Sequence, residues 1–215
     1  MINDLYNHKI QSNRAFQEML IPARKRLSGR SPAEIAKASG AVFHPDASVI
    51  EIASLNQNIR ITIPEYECDP KPDDWHQLVI LHYLDHADGA PDFSPLVPFG
   101  GLQDGLIRGT KFDYITEKEL SCFIADKQPP QLQNVCLTLG AEILESKADL
   151  SVRFPFLPYY PVTLNVWFAD DEFPASGKML LNKSADRYLT IEDAVTVGEI
   201  MLKSLKNTYR QMYGD

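Results

Sequence analysis

Apolar and polar positions alternate most regularly in two stretches of this chain. In NIRITIP, Ile59, Ile61 and Ile63 share one face and Arg60 and Thr62 the other. That period of two marks a half-buried strand. SVIEIASL places Ile50 and Ile52 on one side, and Asn56-Gln57-Asn58 between the two runs predicts a hairpin turn. The pattern returns later, where Val152, Phe154 and Phe156 alternate with polar neighbours. It continues with Val162, Leu164, Val166 and Phe168, and Met179–Leu181 predicts a short edge strand.

Helical spacing governs the rest. Residues 4–27 predict a helix with an apolar patch of Phe16, Met19 and Leu20, kinked or ended by Pro22. Ser31-Pro32-Ala33-Glu34 is a helix start with a capping box, and Gly40 closes that helix. Residues 73–87 carry apolar side chains around most of the circumference, which predicts a buried helix. A Gly- and Pro-rich loop over 88–110 follows. Thr116-Glu117-Lys118-Glu119 predicts a helix start, and a further helix is expected over 131–145. Thr190 and Asp193 cap a C-terminal helix with the stripe Ile191, Val195, Gly198, Leu202, Leu205, Tyr209 and Met212. Gly198 on that stripe predicts close backbone packing, because a mid-helix glycine otherwise costs about 1 kcal/mol.

Strands and helices come in blocks, which predicts an α+β fold. The expected architecture is an antiparallel sheet of about five strands packed with helices, and a long amphipathic C-terminal helix. It forms one domain over 1–215, with a helical N-terminal arm at 1–40 and a mixed α+β core at 41–215. The C-terminal stripe suits either internal packing or a homodimer face.

Charge and composition narrow the partners. The 29 acidic residues exceed the 21 Lys and Arg by 8. Nucleic-acid binding needs clustered cations and is not expected. No window reaches the roughly eighteen apolar residues of a membrane span, and the N-terminus lacks a signal pattern. A cytoplasmic protein is expected. Cys68, Cys122 and Cys136 are scattered, which argues against disulfides and self-contained metal clusters.

Three places offer chemistry. Asp170, Asp171 and Glu172 supply carboxylates suited to a divalent cation, with Glu192 and Asp193 as further ligands if the chain folds back. The competing reading is an acidic turn in which Asp171 or Glu172 accepts backbone N–H bonds and pins the Phe-Pro corner. His82 and His86 are spaced to face one way on a helix and share a metal. With Trp75 on the same side they offer a face for a planar cofactor such as a tetrapyrrole, or else a core face with bonded histidines. Tyr159 and Tyr160 are candidates for a pocket mouth or, equally, rim residues of the sheet. The glycines of LVPFGGLQDGLIRG match no phosphate-binding pattern and read as turns and close packing.

Asp171-Glu172-Phe173-Pro174-Ala175, Tyr188-Leu189 and Glu192-Asp193, with Leu81-His82-Tyr83-Leu84 and Phe99–Gly105 upstream, carry a resemblance. Over about residues 40–205 the chain resembles a domain-of-unknown-function family of anaerobic bacteria and archaea. Some of its members are fused to a four-cysteine iron–sulfur module, which this chain lacks. The resemblance implies an anaerobic setting and a link to corrinoid, other tetrapyrrole or one-carbon metabolism. The expected function is a binding or accessory protein holding a small ligand or a protein partner. The alternative is a metal-dependent, hydrolase-like enzyme built on residues 170–172.

Overall fold

The structure, a computed structural model, describes residues 2–89 and 95–214, with side chains from residue 14 onward. Residues 90–94 of the expected loop lie outside the described residues. The chain is α+β, but its strands divide between two antiparallel sheets rather than forming one.

The first sheet runs β1 (Val42–His44), β2 (Val49–Ser54), β3 (Gln57–Thr62), β4 (Cys68–Asp69) in spatial order. Ile50, Ile52, Ile59 and Ile61 are all buried, as their alternation requires. Ser54 pairs with Gln57, so the hairpin turns on two residues only, Leu55 and Asn56. Both have positive φ, 46° and 61°. This is the backbone sense that matches the twist of a two-residue hairpin. Gln57 and Asn58, expected in the turn, belong to β3.

The second sheet orders β5 (Leu96–Val97), β9 (Ser176–Asn182), β8 (Tyr160–Trp167), β7 (Leu150–Leu157) and β6 (Glu142–Ile143). The short edge strand expected at Met179–Leu181 is the seven-residue β9, flanked on both sides. The sheets meet where β2 ends beside the register shift between Phe154 and Leu157. There Leu55 N donates to the Pro155 carbonyl at 3.4 Å, and Ser54 Oγ donates to the Phe156 carbonyl at 2.8 Å.

Among the described residues six α-helices cover the sheets. α1 (Ile2–Ser28) runs unbroken through Pro22, because Phe16, Leu20, Ala23 and Leu27 bury along its far side. It packs on α3 (Asp74–His86). Its end is tied by Tyr66 Oη donating to the Leu27 carbonyl at 3.0 Å, and by Arg26 and Arg30 on Asp85. α2 (Pro32–Ser39) ends at Gly40 in the left-handed region, although Ser31 caps it without a side-chain bond.

α4 (Gly105–Ile124) begins eleven residues before the expected start, and Thr116 is buried inside it. Gly105 and Gly109 weaken its helical signal but let its backbone press against the Phe99 carbonyl. Asp113 fixes that approach, its carboxylate accepting from Phe99 N at 3.0 Å and Gly100 N at 2.8 Å. α5 (Pro129–Thr138) stops short of residue 145, since Gly140 turns the chain into β6.

α6 (Ile191–Tyr213) contacts α3, α4 and α5. A Cβ at Gly198 would stand 2.6 Å from Phe112 Cε1 and 3.2 Å from Phe99 Cζ, the close packing its place on the stripe predicts. Among the described residues no helix is long and apolar enough to cross a membrane.

Candidate functional site

α3 is buried nearly all round, and His82 and Tyr83 are the titratable side chains among its buried residues. The first turn of α6 supplies the partner of His82. Thr190 caps the helix by accepting from Asp193 N at 3.3 Å, and its hydroxyl donates to Asp193 Oδ2 at 2.9 Å. Asp193 Oδ1 lies 2.8 Å from His82 Nδ1. An ionised carboxylate only accepts, so Nδ1 carries the proton, which leaves Nε2 as the lone-pair nitrogen whenever the imidazole is neutral. That nitrogen has no hydrogen-bond partner among the described residues. His86 follows one turn later, exposed, its ring centroid 6.2 Å from that of His82.

His86 and Thr190 line a cleft of roughly 490 Å³ at this end of α6, together with Gln103, Asp104, Asp186 and Glu192. Asp186 is held by Gln103 N at 3.0 Å, and Arg187 at the rim pairs with Asp88 at 2.6 Å. Tyr160, on β8, is 1% exposed and its Oη has no partner among the described residues. Burial, reinforced by the negative charges of Asp193 and Asp186, raises its pKa well above the ordinary phenol value. The phenol therefore stays protonated, a donor without an acceptor. Buried polar groups of that kind are rare and call for a water or a ligand group.

Other candidate residues are placed differently. Trp75 turns away from the cleft and meets Phe16 of α1 edge-on at 6.3 Å. Tyr159 is half-buried in an aromatic group with Tyr188, 6.1 Å between rings, and its N–H donates to Tyr83 Oη at 3.0 Å. Asp170 accepts from Phe173 N at 2.7 Å and Glu172 N at 2.9 Å. Those bonds, Phe173's foremost, lower its pKa. This is the turn-pinning role, played by Asp170 itself, while Asp171 and Glu172 are exposed. Asp193 is committed to His82 and Thr190. Among the described residues no group of three or more His, Cys, Asp or Glu is arranged to hold a metal ion.

A second histidine went unread in the sequence. His76 Nε2 lies 2.8 Å from Ser54 Oγ, whose own proton goes to the Phe156 carbonyl, so the ring donates to the hydroxyl. The His76 ring packs on Phe156 at 5.3 Å. Burial pushes its pKa down to about 4, against the opposing pull of Asp73. The Cys68 and Cys136 thiols are pushed up to about 12 by burial and are inert at neutral pH.

Fold and site together define an α+β protein with a polar cleft backed by a carboxylate-oriented histidine. The chain belongs to the family described as Domain of unknown function (DUF3786), whose model matches residues 31–204. No curated protein and no solved structure matches it.

Proposed function

We propose that the protein binds a small polar ligand in the cleft at the start of α6, with His86, Asp186, Thr190 and Glu192 as its recognition groups. The observation that carries this reading is the polar cleft itself, walled by these side chains and backed through Thr190 and Asp193 by His82. The cleft volume falls in the range of metabolite pockets, about 300–1,000 Å³. Its lining is largely polar and carries more carboxylates than cations, which favours a neutral or cationic ligand with donor and acceptor groups. A flat tetrapyrrole needs apolar walls, so the expected link to corrinoid or one-carbon chemistry is better served by a small metabolite of such a route. In the presence of a substrate, an imidazole held this way by a carboxylate also suits proton transfer.

The test is native mass spectrometry of the full chain purified without oxygen, followed by a thermal-shift screen of polar metabolites. A retained small mass or a ligand that raises Tm supports the reading. Glu192→Gln then separates binding from folding. It is an exposed change in the cleft wall, so Tm should hold while ligand affinity falls at least fivefold. A ligand bound equally well by Glu192→Gln and His86→Ala would sink the assignment of this cleft.

A further inference from the structure

We infer that His82 and His86 form an open, two-nitrogen site for a borderline divalent transition metal such as Zn(II), Ni(II) or Co(II). This goes beyond the small-ligand reading and does not depend on it. The spacing i,i+4 sets both rings on one face of α3, and their centroids stand 6.2 Å apart. Asp193 already provides what a metal-binding histidine requires. Its carboxylate takes Nδ1–H at 2.8 Å, fixes the tautomer and raises the basicity of Nε2.

His86 is free to complete the pair. Its nearest carboxylate, Asp85 Oδ2, is 3.9 Å away, beyond a hydrogen bond. Asp85 is itself matched by Arg26 and Arg30. A tetrahedral ion with metal–nitrogen bonds of about 2.0–2.1 Å brings two ring centroids to about 5 Å. The exposed His86 ring must therefore swing inward by about 1 Å. The cleft favours a cation, since Asp104, Asp186 and Glu192 line it while Arg187 is paired with Asp88.

No third protein ligand is assembled among the described residues, so the other coordination positions fall to water or to a chelating ligand. Imidazole donors select transition metals over Mg(II) and Ca(II). Affinity should rise from Co(II) to Ni(II) to Cu(II).

The experiment is isothermal titration of the EDTA-treated full chain with Zn(II) and Ni(II), with Co(II) absorption and native mass spectrometry for stoichiometry. One ion per chain is expected. His86→Ala, a surface change that leaves the core intact, should weaken binding at least tenfold. Asp193→Asn should weaken it ten- to a hundredfold, and the double variant Asp170→Ala/Glu172→Ala should leave it unchanged. Absence of stoichiometric binding, indifference to His86→Ala, or loss in the 170/172 double variant would each overturn the proposal. Because no small ligand enters the titration, its failure leaves the small-ligand reading standing, and the metabolite screen tests that reading alone.

Discussion

His76 makes the stability of this protein depend on mildly acidic pH. Its folded pKa of about 4 lies below the unfolded value near 6.5, so the unfolded chain binds the extra proton between those values. Stability is complete above pH 6.5 and falls as pH drops towards 4. About 2 kcal/mol is lost by pH 5 from this residue alone. Urea unfolding at pH 7.5 and pH 5.0 should show a larger loss for wild type than for His76→Gln, and equal losses would discount the buried ring. His82 and Asp193 illustrate what single residues conceal. The capping role of Asp193 is legible from Thr190 three positions before it. Its attachment to a histidine 111 positions away is not, because nothing local in either segment encodes the other. The acidic run at 170–172 stands out in the sequence for its composition, yet its order comes from Asp170 holding its own turn.

At the level of elements, alternation located the long strands, and helical spacing located α3 and α6. Except at α5, which ends at the local turn of Gly140, the boundaries that differ share one cause: tertiary contacts outweighed local signals. Gly105 and Gly109 argue against helix by propensity, but the Phe99 carbonyl leaves no room for a Cβ there. Pro22 argues for a break, but four buried side chains hold α1 together across it. Leu55 at positive φ is costly for a branched residue, so a two-residue turn was not the natural reading. Gly198 is the sharpest test of packing. Gly198→Ala gains about 1 kcal/mol of helix propensity but drives a methyl into Phe112, and overpacking costs about 1–3 kcal/mol. A net loss of about 1 kcal/mol in chemical denaturation is expected, and a raised midpoint would show that the helices are not in close contact.

For the whole molecule, buried side chains from both sheets and from each of the six described α-helices join one hydrophobic cluster. α1 belongs to it, although the family match begins only at residue 31. Phe16 is 2% exposed and meets Trp75. Phe16→Ala should cost about 3 kcal/mol and red-shift the tryptophan emission of the folded protein. If it unfolds at the wild-type midpoint, α1 is an appendage rather than a part of the core. Circular dichroism and fluorescence should report one coincident unfolding transition, since side chains of both sheets share that cluster.

That junction turns on one hydroxyl. Ser54 is fully buried, gives its single proton to the Phe156 carbonyl and receives one from His76. Alanine there would strand both partners, at about 1–3 kcal/mol for each group left unpaired. Bulk is excluded by the core, and a carboxylate or amine by burial. In a saturation library selected for soluble expression, position 54 should therefore admit Ser, tolerate Thr and reject most other side chains. A residue that neither the cleft nor any motif marks would thus be among the least mutable in the chain.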